Sequence, residues 1–234
     1  MATKKKMLQA AAGGVSPVEY VYSGITSQIN GLSMTRPISN VKAGDLILVF
    51  HSAASGTSGS QLGVMSLNTT GYTLLRAYFT SNSNNYDTNL EIYGKIADGT
   101  ETSVVSNGGL NSLFGSALTV GVYRGTDGTL PDTSRFTVND SGNNDDVIFP
   151  TTTTIEGGDL LVVFGANATN VPSFTAPTDL DEWIYKGAND TYDNTFGLGS
   201  ILITDQTSFT ANTWVGGSNS NSFTHVGGYV RLRP

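Results

Sequence analysis

The stretch GDLILVF at residues 44–50 returns as GDLLVVF at residues 158–164. In both copies the five residues after Gly-Asp are apolar, whereas a strand with one solvated face alternates apolar and polar residues. Both runs are therefore expected to be central strands that are covered on both faces. The aspartates Asp45 and Asp159 are expected to fix the preceding turns by accepting hydrogen bonds from backbone amides.

The likeness between the two halves extends to further blocks in the same order. YDTNLEIYGKIADGT from Tyr86 matches YDNTFGLGSILITDQT from Tyr192, and SALTVGVY matches SFTHVGGY, which places Tyr123 on Tyr229. Small gaps separate the blocks, and loops of unequal length are the change that a duplicated unit tolerates best. The sequence thus predicts a pseudo-repeat, with copies at about 19–125 and 132–233.

Short apolar or alternating runs bounded by Gly, Asn, Asp and Ser predict a chain built from strands. No segment carries a long helical stripe. The link at about 125–135 is short and contains Leu130, so one shared core is favoured over two tandem lobes. We predict an all-β fold, a jelly-roll-type two-sheet β-sandwich over 18–234. The predicted strands are Glu19–Tyr22, Leu46–Phe50, Tyr72–Tyr78, Leu90–Ile96, Ser103–Val105, Ala117–Tyr123, Phe136–Val138, Leu160–Phe164, Glu182–Tyr185, Leu198–Ile203, Ser208–Thr210 and Phe223–Arg231.

Residues 1–17 differ from the rest and are expected to form a short extended or helical arm. MATKKKMLQAAAGG resembles a secretory signal, but Gln9 interrupts an apolar run that is already too short for one. A docking arm is therefore preferred, and its helix-favouring residues are too few to hold a helix without a partner. The residues expected to dock are Lys4, Lys5, Lys6, Met7, Leu8 and Gln9.

Composition excludes several functional classes. The net charge is −7, and removal of the three lysines of the arm leaves −10, which disfavours a nucleic-acid-binding body. The chain has no cysteine, which excludes disulfides and thiolate metal sites. No apolar run approaches the ~18 residues of a membrane span.

No catalytic residue, cofactor or metal ligand is predicted, because the chain lacks the common nucleophile, zinc and phosphate-loop motifs. His51 is expected to cap a strand end and His225 to lie on a sheet face. The acidic run at 139–146 has oxygens suited to calcium but no EF-hand pattern, so a solvated turn is favoured. Four aromatics near polar loops offer an alternative, a sugar-stacking platform: Tyr86, Tyr192, Trp183 and Trp214.

The opening MATKKKMLQAAAG resembles the openings of structural proteins of tailed bacteriophages, including phages of cyanobacteria and marine bacteria. In the body, VKAGDLILVF, GYTLL, LEIYGKIADGTETSV and SALTVGVYRG are similar to a β domain of phage tail, fibre and decoration proteins. The resemblance is close over the arm and looser over most of the body.

This resemblance implies a non-enzymatic virion protein, assembled in the host cytoplasm, whose arm docks on another tail or capsid protein. A tail appendage, adaptor or fibre-type subunit is favoured, and a capsid decoration or cement protein is the first alternative. A carbohydrate-binding module that recognises a host glycan is the second. A homo-oligomer, specifically a trimer, is expected by the same resemblance. The charge and the short apolar runs predict no nucleic-acid or membrane partner.

Overall fold

The computed structural model describes residues 16–28, 33–55, 60, 62, 65–81, 87–107, 115–143, 146–168, 174–175, 177–188, 194–215 and 224–234. Twelve strands and one short 3₁₀ turn, Thr133–Arg135, are present in this part of the chain. The strands are β1 Glu19–Gln28, β2 Thr35–Pro37, β3 Leu46–Ser55, β4 Thr73–Thr80, β5 Asp87–Ile96, β6 Ser103–Val105, β7 Ser116–Arg124, β8 Phe136–Asn143, β9 Leu160–Asn167, β10 Glu182–Ala188, β11 Asn194–Leu202 and β12 Thr224–Leu232.

Two five-stranded antiparallel sheets are packed as a sandwich. The first sheet has the order β1-β7-β3-β5-β4 and the second the order β10-β11-β9-β12-β8. A two-stranded ribbon, β2-β6, lies outside them. The predicted fold class, an all-β jelly-roll-type sandwich, is confirmed. Every predicted strand overlaps an observed one except Ser208–Thr210, where Phe209 forms only an isolated bridge with Thr152.

Each sheet is made by one half of the chain. If β3 is matched to β9, then β1, β7, β5 and β4 correspond in lateral order to β8, β12, β11 and β10. Leu46 lies opposite Ile96 on β5, and Leu160 lies opposite Leu202 on β11, so these central pairs have the same register. The repeated sequence blocks therefore correspond to two sheets of equal topology.

One apolar cluster fills the space between the sheets, and we call it the shared core. It contains alternate residues of the central strands of both sheets, such as Leu48 and Phe50 from β3 and Val162 and Phe164 from β9. The Phe50 ring lies 5.4 Å from that of Phe164 and 5.6 Å from that of Phe196. Burial of both halves in one cluster makes each sheet the cover of the other.

The outer face of each sheet is covered by its own half of the chain. Met34 and Ile38 pack on Ile47 and Val49 of the first sheet. Trp214 and Val147, which pair with each other through a β-bridge, pack on the second. Because both faces of β3 and β9 are covered, their apolar residues do not alternate with polar ones, as the repeated stretch predicts.

A lateral row of three glycines lets the cover approach the second sheet closely. Gly197, Gly165 and Gly227 lie side by side on β11, β9 and β12. A methyl group on Gly165 would lie 2.6 Å from the Trp214 ring, and one on Gly227 would lie 2.6 Å from Val147. Since real carbon atoms do not approach so closely, a side chain here would displace the cover.

The match of Tyr123 to Tyr229 is a register error of the sequence alignment. Tyr123 lies opposite Leu46 and belongs to the shared core, whereas Tyr229 lies opposite Val163 and packs on the outer face. The structural equivalent of Tyr123, opposite Leu160, is Leu232. This offset of three residues exchanges the two faces, because side chains alternate along a strand.

The antiparallel strands give the sandwich two distinct ends. At the arm end, Val18 is buried in the shared core and Glu19 lies opposite Arg124. At the loop end, Ser116 lies opposite Gln28 and Ala53, and Asn167 lies opposite Thr195 and His225. Most of the internal segments outside the described ranges follow or precede strand ends at the loop end.

Candidate functional site

The repeated Gly-Asp turns at the arm end each hold an aspartate–arginine ion pair. Oδ2 of Asp45 accepts a hydrogen bond from the amide of Lys42 (2.8 Å), as predicted for this turn, and also one from Nη2 of Arg124 (2.7 Å). In the second half, Asp159 accepts from the amide of Glu156 (2.7 Å) and from Nε of Arg231 (2.6 Å). We call these two pairs the clamps.

The clamps differ in burial. The Arg231 side chain is 8% exposed, whereas that of Arg124 is 31% exposed, and both aspartates are buried. Each clamp joins the turn before a central strand to the last strand of the same half. The arm end, where residues 1–17 enter the body, is therefore held by charge-assisted hydrogen bonds as well as by the shared core.

At the loop end, polar side chains replace apolar ones between the sheets. The Thr88 hydroxyl donates to the Thr224 carbonyl (2.6 Å), and the Thr224 hydroxyl donates to Thr88 Oγ1 (2.9 Å). Nδ2 of Asn194 donates to Ser52 Oγ (2.9 Å). All four residues are buried. These bonds connect the two sheets at the loop end through a buried polar network.

On the outer face of the first sheet, buried polar residues occupy positions that correspond to the glycine row of the second sheet. His51 lies opposite Glu91, as Gly165 lies opposite Gly197, and the Tyr93 hydroxyl donates to Glu91. His51 is fully buried and its Nδ1 hydrogen-bonds the Met65 carbonyl (2.6 Å). It lies inside β3 and does not cap a strand end, so that prediction is wrong. His225 lies on a buried face of β12, as predicted.

Burial lowers the pKa of His51 to about 4, against the opposing effect of its bond to Met65. The imidazole is thus neutral at pH 7. His51 and Glu91 are both buried, so neither side chain is exposed to solvent in the folded state. Within the described ranges, no cluster of three or more His, Asp or Glu residues is arranged to hold a metal ion. The expectations of no catalytic residue and no cofactor stay predictions.

The depressed pKa of His51 gives stability a defined pH dependence. The unfolded chain takes up a proton near pH 6.5 and the folded chain only near pH 4, so the free energy of unfolding is expected to fall by about 3 kcal/mol between these values. Urea titrations of the native chain and of His51→Leu across this range measure the effect. The variant lacks this part of the slope, and equal slopes in the two proteins would contradict the assignment.

The other residues singled out by the sequence are not gathered into one site. The six arm residues, Tyr86 and Tyr192 lie outside the described ranges. Trp214 is fully buried and packs on the outer face of the second sheet. Trp183 is partly buried, and its ring lies 6.0 Å from that of Tyr185, which is 40% exposed. Of the four proposed platform aromatics, only Trp183 is thus partly open to solvent in the described structure, and glycan binding stays a prediction.

The acidic run 139–146 is mostly strand. Residues 139–143 belong to β8, and the Thr80 hydroxyl donates to the Asp140 carbonyl (2.5 Å), which ties β8 to β4. The turn favoured for this run is therefore wrong for residues 139–143, which pair with β12 as far as Thr224, while residues 144 and 145 lie outside the described ranges.

Sequence reasoning missed the two arginines of the clamps. Both lie near the end of the last strand of their half, in VYRG and YVRLRP. The two arginines do not occupy equivalent strand positions, because Arg231 lies opposite Leu161 and so corresponds to Val122, whereas the register places Arg233 on Arg124. No alignment of the two halves in this register matches them, and only the folded structure shows that each reaches the aspartate of its own turn.

Comparison of the chain with protein-family models, with curated proteins and with solved structures gives no significant match in any of the three. No helix in the described residues has the length and hydrophobicity to cross a bilayer.

Proposed function

We propose that this chain is a non-enzymatic structural subunit of a tailed-bacteriophage particle, of the tail-appendage, adaptor or fibre type. The proposal rests on the sequence resemblance of the opening and of four body blocks to such proteins. The low fraction of charged residues, 13%, fits a subunit that is packed among neighbours.

The observation that supports this function best is that the chain enters β1 at the end of the sandwich opposite the loop end. The chain enters the body at Val18, and β1 runs from Glu19 at that end to Gln28 at the other. A subunit bound to a particle through its arm would direct the loop end away from the attachment point. The connecting segments there would then be the part offered to the surroundings.

Contacts at the arm end connect the start of β1 to the central strand of the first sheet. Val18 is 3% exposed and belongs to the shared core. The next residue, Glu19, lies opposite Arg124, whose guanidinium is bound to Asp45 in the turn before β3. Force on the arm would therefore pass through β1 and β7 to the central strand of the first sheet.

Binding by the arm would combine two interactions. Met7, Leu8 and the alanines would fill an apolar groove on the neighbouring subunit, and Lys4, Lys5 and Lys6 would meet acidic groups at its rim. A capsid decoration protein would use the same arrangement, and only the position on the particle distinguishes the two.

Cryo-electron microscopy of purified particles from cells that express the chain tests the proposal. We expect density for the sandwich at symmetry-related positions, on the tail for an appendage and on the head for a decoration protein. Purified particles in which mass spectrometry does not detect the chain would overturn the proposal.

A further inference from the structure

We infer that the inner faces of the two sheets form a self-sufficient interface of the kind found in twofold-symmetric dimers, so that the two halves of the chain recognise each other without a covalent link. The partner that fits the inner face of one half is its homologous half, on the same chain or on a second copy.

The arrangement of the strands supports this inference. β1 contacts β10, and β4 contacts β8. Because β8 corresponds to β1 and β10 to β4, both sides of the sandwich make the same strand contact with the roles of the halves exchanged. This reciprocity defines an interface between equivalent partners related by a twofold axis.

The centre of the shared core shows the same relation at the level of residues. Phe50 and Phe164 occupy equivalent positions in the two repeated stretches, and their rings contact each other. A residue that touches its own equivalent lies close to the twofold axis of such an interface. The Phe50 ring also contacts Phe196 of β11, so the contact at the axis is part of a larger aromatic group.

The inner face of each sheet is covered by the other sheet. Leu48, Phe50, Val162 and Phe164 are all fully buried, and each would be exposed if the other half were removed. Exposed apolar faces of this extent drive association. Polar bonds at the loop end, between Thr88 and Thr224 and between Ser52 and Asn194, then fix how the faces align.

The link between the two halves has an open position at Gly128, where it makes few contacts with the sheets. Gly128 has φ +73, and a carbon added to it would meet nothing within 4 Å. Before Gly128, Asp127 accepts a hydrogen bond from Arg135 (2.5 Å), and its amide donates to the Arg233 carbonyl (3.0 Å). A cut between Gly128 and Thr129 removes the chain connection between Asp127 and Thr129, whose amide and hydroxyl donate to the Asp127 carboxylate (3.1 and 2.8 Å), but it deletes none of these residues.

The test uses the full chain with a site-specific protease sequence inserted between Gly128 and Thr129. After cleavage, the two halves are expected to elute together at the volume of the uncut protein and to keep its circular dichroism. The urea midpoint of the cut protein should rise with protein concentration, because folding has become bimolecular, while that of the uncut protein should not. After complete unfolding and dilution, the halves should recombine.

A variant with Phe50→Asp, cleaved in the same way, checks that the inner face is responsible. It is expected to release its halves on cleavage, and Leu74→Asp, at a side chain 48% exposed on β4, is the matched control that should not. Two outcomes would overturn the inference: halves that separate from the cut native sequence, or halves that each stay folded as monomers with no dependence of the midpoint on concentration.

Discussion

Replacement of Arg231 by methionine is expected to lower the free energy of unfolding by about 3 kcal/mol or more, the usual loss when one partner of a buried ion pair is removed. The change leaves the carboxylate of Asp159, a residue that is 2% exposed, with only the amide of Glu156 as a described hydrogen-bond partner. For a chain of this length the midpoint of thermal unfolding should fall by roughly 10 °C. Differential scanning calorimetry at pH 7 measures it.

The first half of the chain supplies the matched control. Arg124→Met removes the ion-pair partner of Asp45, whose carboxylate is also buried, but the Arg124 side chain is 31% exposed, so water can enter the space it leaves and solvate the carboxylate. A smaller loss of about 1 to 2 kcal/mol is expected, between the values for exposed and for buried pairs. Equal losses in the two variants, or a loss below 1 kcal/mol for Arg231→Met, would show that burial does not set the strength of the clamps.

Deletion of residues 1–14 is expected to abolish incorporation into particles while leaving the fold intact. The deletion ends before Val18, so the shared core, the pairing of β1 with β7 and the clamps keep all their residues. The thermal midpoint of the purified body should stay within about 2 °C of that of the full chain. Quantitative mass spectrometry of particles assembled with each form measures occupancy.

A second variant separates the two parts of the arm. Substitution of Lys4, Lys5 and Lys6 by glutamine keeps the apolar run and removes its charges. We expect the occupancy of this variant on particles to lie between those of the native and the truncated chain. The occupancy of the chain with the native arm should fall as salt is added. Normal occupancy of the truncated chain would show that docking uses the strands and loops of the body instead.

The sequence was sufficient for the fold class and for the central strands. Two apolar runs without alternation can be satisfied only by strands covered on both faces, and β3 and β9 are such strands. The sequence was not sufficient for the correspondence between β7 and β12. Both strands contain glycine and tyrosine, but an alignment of these residues does not determine on which face of its sheet each side chain lies. β2 was missed because it has three residues, and one of them is Pro37.

The same limits explain the errors at the individual sites. The sequence predicts that β3 ends at Phe50, because polar residues follow. The strand continues to Ser55 instead, and buried polar residues such as Asn89 and Ser116 pair with this part. Trp214 was predicted near a loop, but the glycines that receive its ring are distant in sequence and reveal their role only in the folded sheet. The docking residues of the arm lie outside the described structure and stay predictions, as do the trimer and the virion location.

The most direct measurement of the central claim is the orientation of the sandwich on the native particle, determined by cryo-electron microscopy at a resolution that separates the strands. Our account predicts that Val18 and the clamps face the particle, with continuous density from the arm into a neighbouring subunit, and that Asn194 and Thr224 lie at the distal end. Density in which the loop end contacts the particle and the arm end faces outward would contradict it.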